Sequence, residues 1–148
     1  MHIIFDLDNT LSDEFGKAPR PGIQVYLQKW NDEGHRLSLW TSSTKRRAVT
    51  ILNDHDLRKY FSTFIFREDY DPDHTGAVKD IRRIDGDILV DDDPEQINFI
   101  NSIGKKGFLI KPYRPDGNVE PKELQELDKF IRRSSGPLRW LRFKRIKS

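Results

Sequence analysis

The chain alternates short apolar runs with longer segments in which apolar residues recur at helical spacing. The short runs are rich in Ile, Leu, Val and Phe and alternate only weakly with polar residues, which is typical of parallel strands covered on both faces. They predict five strands, at residues 2–5, 36–40, 63–67, 87–90 and 107–110.

The longer segments predict helices between these strands. In the first of them, Ile23, Leu27 and Trp30 fall on one apolar stripe,. The helical patterns cover residues 21–35, 44–60, 75–84, 93–104 and 120–134. Strands and helices that alternate in this way predict an α/β fold, with a doubly wound, Rossmann-like, five-stranded and mainly parallel sheet flanked by helices.

Polar side chains follow the predicted strands at the points where the strands end. Ligands of parallel α/β sheets bind outside the carboxyl ends of the strands. These residues should therefore converge on one crevice, together with Lys79 from the short helical segment before the fourth strand. The strand-end residues are Asp6, Asp8, Thr10, Thr41, Ser42, Ser43, Asp91, Asp92 and Asp93.

Such a group of carboxylates indicates a specific chemistry. Carboxylates packed together repel one another unless a cation lies between them. Oxygen ligands without His or Cys suit a hard ion, and Mg²⁺ is the usual one beside phosphate substrates. An aspartate can attack phosphorus to form an aspartyl-phosphate, and a second carboxylate can protonate the leaving oxygen and then activate water. A lysine and hydroxyl groups would hold the remaining phosphoryl oxygens.

Four segments resemble the motifs of the haloacid dehalogenase superfamily of phosphotransferases, in the same order, over residues 2–110. FDLDNTL resembles motif I (DxDxT), Thr41 after LSLW resembles motif II, Lys79 motif III and ILVDDDP motif IV. The segments RPG, LWTSS, FRE and VKD are similar to the small capless branch of polymerase C-terminal-domain phosphatases, the NLI-interacting-factor-like group. Motif I has Asn9 where that branch usually has Glu.

The resemblance implies a role for each motif residue. Asp6 would be the nucleophile and Asp8 the general acid and base. The implied ligands of Mg²⁺ are Asp6, the backbone carbonyl of Asp8, Asp91 and, directly or through water, Asp92; the implied phosphate contacts are Thr41 and Lys79.

Other polar residues near these motifs have simpler interpretations. Asp93 is predicted to cap the fourth helix. Ser42 is a further candidate for phosphate binding through its backbone, but Ser42 and Ser43 would equally serve as caps of the helix that starts near residue 44. The basic residues 45–47 are predicted to form a solvated face.

Composition limits the setting of this chemistry. The 148 residues fit one domain, and hydrophobic residues make up 35% against 34% charged residues,. The absence of cysteine excludes disulfides and thiolate metal sites,. Because the apolar runs are short and the N-terminus lacks a signal pattern, neither a membrane span nor secretion is predicted, and we expect a cytoplasmic protein.

Charge divides the chain into two parts. Residues 1–128 hold 18 basic against 24 acidic residues, whereas residues 129–148 hold 8 basic residues and no acid. We therefore predict a phosphatase domain at residues 1–135 and a basic tail at 136–148, in which Trp140 and Phe143 alternate with Arg and Lys. The tail is either a solvated end or a contact for a polyanion.

Three functions are compatible with these features. The first is a Mg²⁺-dependent phosphomonoester hydrolase; because residues 11–20 leave no room for a lid domain, its open site suits a macromolecular substrate such as a phosphoprotein. The second is a polynucleotide or nucleotide phosphatase, which the basic tail would support. The third is a non-catalytic binding module with a nucleic-acid-binding tail, against which the intact motif residues argue.

Overall fold

The computed structural model describes residues 1–116 and 122–147, with side chains up to residue 136. The strands in these ranges are β1 (His2–Phe5), β2 (Arg36–Trp40), β3 (Thr63–Ile65), β4 (Ile88–Asp91) and β5 (Lys106–Leu109). They form one sheet in the order β3-β2-β1-β4-β5, and every pair is parallel. The predicted doubly wound α/β sheet is confirmed.

The helices of the described ranges follow the strands in alternation. They are α1 (Ile23–Asp32), α2 (Lys45–Asp54), α3 (Arg67–Tyr70), α4 (Pro94–Ser102) and α5 (Glu123–Lys147), with 3₁₀ turns at Arg58–Tyr60 and Ile81–Ile84. The backbone of α5 is non-helical at Gly136, which has φ 74°. The predicted boundary between domain and tail at residues 135 and 136 stays a prediction, because the side chains beyond residue 136 lie outside the described part.

Two predicted boundaries are wrong for local reasons. The third strand stops at Ile65 because the N–H of Phe66 donates to the side chain of Asp69 at 2.9 Å, and α3 begins there instead. The second helix ends at Asp54 rather than at residue 60, because Asp56 adopts a left-handed backbone with φ 54° that stops the helix,.

The predicted helix at 75–84 is also wrong for its first half. Residues 75–80 are irregular, and only Ile81–Ile84 form a helical turn. Lys79 therefore lies in a loop and not on a helix. The conformation of this loop is set by hydrogen bonds other than those of a helix.

The core lies on both faces of the sheet. In β1, Ile3 and Phe5 point to the face covered by α1, α2 and α5, and Ile4 points to the face covered by α4. Trp30 of α1 stacks on Phe5 with 5.6 Å between ring centroids. Burial on both sides explains why the strands are apolar runs with weak alternation.

The strand order fixes where a ligand can bind. The chain passes from β1 to β2 on one side and later returns to β4 on the other side of β1, so the crevice outside the ends of β1 and β4 is the topological switch point,. The N–H of Asp6 donates to the carbonyl of Val90 at 3.0 Å, which holds the carboxyl ends of β1 and β4 side by side. None of the helices in the described ranges combines the length and apolarity needed to cross a bilayer.

Candidate active site

A cavity of about 680 Å³ opens at the carboxyl ends of β1 and β4. Its lining brings together six of the seven residues that the sequence nominates for the site. They are Asp6, Asp8, Ser42, Lys79, Asp91 and Asp92. The structure thus brings these six side chains to one cavity, but no contact in it assigns their roles.

Lys79 joins the two strand ends at the bottom of the cavity. Its Nζ lies 2.9 Å from Asp6 Oδ1 and 2.7 Å from Asp91 Oδ2, and all three side chains are at most 10% exposed. Burial disfavours the lysine charge, but the two carboxylates outweigh this effect and hold the pKa of Lys79 well above its usual range,.

The carboxylates are more numerous than the cations that face them. Burial, and then the charge of Asp91, raise the pKa of Asp6, while Lys79 opposes that rise,. One oxygen each of Asp6, Asp91 and Asp92 lies within 4.8 Å of the others. When all three are ionised, Lys79 leaves a net charge of −2, which a divalent cation with a preference for oxygen would balance.

The loop that carries Lys79 is held by Asp71 and Gln96. Asp71 accepts hydrogen bonds of 2.8–3.1 Å from the backbone of Thr75, Gly76 and Ala77 and from the Thr75 hydroxyl. Gln96, in the first turn of α4, accepts from the Lys79 N–H at 2.8 Å and donates to the Ala77 carbonyl at 3.2 Å. The backbone donors, that of Thr75 first, lower the pKa of Asp71 to about 2.

We expect Asp71→Ala to lower the melting temperature and the turnover, because the loop loses the acceptor that shapes it around Lys79. The folded-state pKa of Asp71 is below its ordinary value of 3.8. Its stabilisation is therefore fully present above that value and is lost as the pH falls toward 2. Thermal unfolding from pH 7 downward should show wild type and variant converging in acid.

Asp73→Ala is the matched control for this variant, since Asp73 is an exposed acid of the same loop. It should unfold as the wild type does. A constant difference between Asp71→Ala and wild type down to pH 2, or equal loss in the two variants, would contradict the assignment.

Asp8 is held by an arginine that the sequence does not connect with it. Arg47 donates to both carboxylate oxygens of Asp8, at 2.9 and 2.8 Å, and also to Ser43 Oγ at 3.0 Å and to the Glu14 carbonyl at 3.3 Å. The hydrogen bond to Asp8 raises the pKa of Arg47. The predicted solvated face of residues 45–47 is therefore wrong at Arg47, which ties α2 to the loop after β1.

The hydroxyl residues after β2 divide into two groups. Thr41 is fully buried outside the cavity lining, and its Oγ1 accepts from the Ser43 N–H at 3.0 Å. Ser42 is exposed at the cavity, and its carbonyl accepts from Arg67 Nε at 2.7 Å. Thr41 thus fixes the turn that presents Ser42.

The predicted cap of α4 is confirmed, and the predicted caps of α2 are wrong. Thr44, and neither serine, caps α2 by accepting from the Arg47 N–H, which corrects the capping interpretation of Ser42 and Ser43. Asp93 caps α4 by accepting from the Glu95 N–H at 2.9 Å, as predicted.

Arg20 is a structural residue of the site that sequence reasoning missed. It is 5% exposed, and its guanidinium donates to the carbonyls of Asn9, Thr10 and Lys111. Burial lowers its pKa to about 10, so it stays charged at neutral pH. Arg20 thereby fastens the turn after β1 to the chain that leaves β5. The RPG segment was its only signal, because the acceptors are backbone atoms up to 91 positions away.

The chain is similar to known proteins in both sequence and structure. The chain matches the family described as NLI interacting factor-like phosphatase over residues 1–139. No curated protein sequence matches it. Among solved structures it is similar to a hydrolase from Streptococcus pneumoniae TIGR4, with 14% identity, a TM-score of 0.62 and coverage of 86% of this chain and 97% of that one.

Further solved structures share the fold. A HAD-superfamily hydrolase from Ehrlichia chaffeensis has 15% identity, a TM-score of 0.60 and coverage of 89% and 96% of the two chains. An uncharacterized protein from Listeria monocytogenes serotype 4b has 14% identity, a TM-score of 0.68 and coverage of 90% and 98%. With its motifs, its parallel sheet and its match over nearly the whole length, the chain belongs to the NLI interacting factor-like phosphatases of the haloacid dehalogenase superfamily.

Proposed function

We propose that this phosphatase is a Mg²⁺-dependent phosphomonoester hydrolase that works through an aspartyl-phosphate on Asp6. The observation that carries the proposal is the buried contact of Lys79 with Asp6 and Asp91 at the switch point of the sheet. A buried carboxylate held at a strand end by an ammonium group is oriented for attack on a phosphoryl group beside it.

The residues divide the reaction into two displacements. In the first, an Asp6 oxygen forms a bond to phosphorus as the bond to the leaving oxygen breaks, and Asp8, protonated and released from its bidentate contact with Arg47, gives that oxygen its proton. In the second, Asp8 takes a proton from water, the water oxygen attacks phosphorus, and the bond from Asp6 to phosphorus breaks to release inorganic phosphate. Lys79 stays charged throughout and orients Asp6, and Ser42 offers its backbone to a phosphoryl oxygen.

The carboxylates beside Lys79 are the proposed metal ligands. Asp6, Asp91 and Asp92, with the backbone carbonyl of Asp8, would hold Mg²⁺, because their oxygens are close together and no softer ligand is among them,. When bound, Mg²⁺ supplies the positive charge that a phosphate dianion needs in order to approach these carboxylates.

The cavity walls favour a large substrate. The loops after β1 and α3 contribute Asp8, Asn9, Asp71 and residues 74–77 to the cavity lining, and neither loop carries a lid domain within the part of the chain that the structure describes. An open mouth admits a phosphate group that projects from a macromolecule such as a phosphoprotein, whereas a small metabolite would remain largely solvated.

The proposal is tested by phosphate release from an aryl phosphate, a phosphoserine peptide and a phosphorylated oligonucleotide, each with Mg²⁺. We expect turnover of the aryl phosphate and a higher kcat/KM for a macromolecular substrate. Absence of release from all three would overturn the proposal and would favour the non-catalytic binding module.

Asp8→Asn should slow the complete reaction and allow phosphorylated Asp6 to accumulate, because the amide cannot take the proton from water. Intact-mass measurement after acid quenching would show the phosphorylated species. Asp32→Asn, a change at an exposed aspartate of α1, serves as the control and should behave like wild type. Unimpaired turnover by Asp8→Asn would remove Asp8 from the mechanism.

A further inference from the structure

Phe15 is exposed in a way that is unusual for its residue type. Its side chain is 66% exposed, and no other aromatic residue appears among the exposed large hydrophobic residues of the described part. It lies in the loop between β1 and α1, five residues beyond Thr10 of motif I. A single exposed apolar side chain is ordinary on a protein surface, so the setting of Phe15 decides whether it has a role.

The loop around Phe15 is held by contacts with α2 and by a hydrogen bond within the loop, so the exposure of the ring is a property of the fold. Gly16 has φ +69°, a left-handed backbone that favours glycine, and a Cβ atom there would lie 2.4 Å from the end of the Ile51 side chain of α2,. The carbonyl of Gly16 contacts His55 Nε2 at 2.7 Å, and the N–H of Lys17 donates to Asp13 at 2.7 Å. The ring is therefore presented from a rigid support, which reduces the entropic cost of binding.

Phe15 borders a groove of about 710 Å³ between its loop and α2, which we name the Phe15 groove. Two of its cations, Lys17 and Arg46, form no ion pair with a described carboxylate, and Lys17 Nζ lies 5.7 Å from the centroid of the Phe15 ring. The hydroxyl residues Thr44 and Thr50 also line it. One acid, Asp54, also lines the groove, but the unpaired cations beside the aromatic face and the hydroxyls outnumber it, and together they are complementary to an anionic ligand with flat rings.

The Phe15 groove adjoins a second depression, which in turn adjoins the candidate active site. Thr44 and Arg47 line both this groove and a second depression, whose lining also includes Asp8 and Ser42 of the catalytic cavity. The three depressions therefore adjoin one another through shared residues and form one path from the catalytic cavity to Phe15. A chain molecule whose end lies in the cavity would continue along this path.

We propose that the Phe15 groove binds the single-stranded end of a polynucleotide, with a base stacked on Phe15 and a backbone phosphate at Arg46 and Lys17. Single-strand binding surfaces combine aromatic platforms with cations that follow the backbone, because every nucleotide offers both a ring and a phosphate. A peptide would need an aromatic or proline residue and an acidic residue at fixed places to use the same groups. This inference rests on the proposed hydrolase, and it names a terminally phosphorylated nucleic acid as its substrate.

The test compares kcat/KM of the full chain and its variants on a single-stranded oligonucleotide with a terminal phosphate, on a phosphoserine peptide and on an aryl phosphate. Phe15→Ala should lower kcat/KM on the oligonucleotide about tenfold, which is the range for loss of one base–aromatic stack. Arg46→Gln should cause a similar loss at low salt that shrinks as salt rises. The aryl phosphate, which is too small to reach the groove, should be hydrolysed at unchanged rates.

Phe15→Trp and Lys45→Gln are the matched variants. Phe15→Trp keeps the stacking face and should retain activity on the oligonucleotide. Lys45→Gln removes the same charge as Arg46→Gln from the adjacent position of α2, outside the groove lining, and should have little effect. Equal losses in Lys45→Gln and Arg46→Gln would show that Arg46 acts only through its general positive charge. That result would overturn the assignment of Arg46 to a backbone phosphate.

Equilibrium binding separates this inference from the proposed hydrolase. Fluorescence anisotropy of a labelled oligonucleotide should show weaker binding by Phe15→Ala and recovery in Phe15→Trp, whether or not phosphate is released. Unchanged binding and turnover by Phe15→Ala would refute the groove, as would a loss on the phosphopeptide as large as that on the oligonucleotide. A wild-type protein that binds the oligonucleotide but hydrolyses none of the substrates would refute the hydrolase alone.

Discussion

Asp6→Asn is expected to lower turnover at least ~10³-fold, the loss found when an essential catalytic member is removed. The amide has the shape of the carboxylate, but it lacks the nucleophilic oxygen that forms the acyl-phosphate bond. Steady-state phosphate release from an aryl phosphate measures the loss, and intact-mass analysis should find no phosphorylated protein.

The fold should survive this substitution. An Asn at this position can still accept a hydrogen bond from Lys79, and it removes the repulsion between Asp6 and Asp91. The melting temperature should therefore be equal to that of wild type or higher. Asp13→Asn is a matched control in the same loop, because the side chain of buried Asp13 accepts a hydrogen bond from the Lys17 N–H, which the oxygen of an Asn can also accept. Near wild-type activity of Asp6→Asn would reject the nucleophile.

Removal of divalent metal should abolish turnover, and Mg²⁺ should restore it. Three carboxylates against one lysine repel a phosphate dianion unless a further cation is present,. Ca²⁺ should inhibit, because its coordination is larger and looser than the octahedral geometry of Mg²⁺. The measurement is phosphate release after treatment with a chelator and after addition of each ion.

Thermal unfolding gives a second reading of the metal site that does not depend on activity. Mg²⁺ should raise the melting temperature of wild type, since a ligand that binds the folded state stabilises it. Asp91→Asn should lose most of this increase, whereas Asp93→Asn should retain it, because Asp93 serves as the cap of α4. Full activity after exhaustive metal removal would contradict the metal assignment.

The local pattern of the sequence was sufficient for the sheet and for the carboxylates of the site. Strands buried on both faces appear as continuous apolar runs, and β1 and β2 have the predicted bounds,. The end of such a run lies at the carboxyl edge of the sheet, so Asp6, just after β1, and Asp91, the last residue of β4, were predicted at that edge without knowledge of the packing. The parallel connections then bring those edges together.

The boundaries that failed were decided by side chains that compete with the regular backbone bonds. Asp69 takes the N–H of Phe66, which ends β3 early, and Asp71 takes the N–H groups that would have built a helix before Lys79. Asp residues are compatible with helices, turns and loops, so hydrophobic periodicity alone cannot distinguish these outcomes.

The groups that hold the catalytic candidates were decided by the tertiary structure alone. Arg47 is 39 positions from Asp8, and its own neighbours in the sequence indicate a solvated basic face. Arg20 reaches a carbonyl 91 positions away, and Gln96 reaches the backbone of Lys79 over 17 positions. A long polar side chain finds its partner only after the sheet and helices have packed. The sequence therefore determined which residues lie at the strand ends, whereas the tertiary structure determined which cations, amides and loops hold them there.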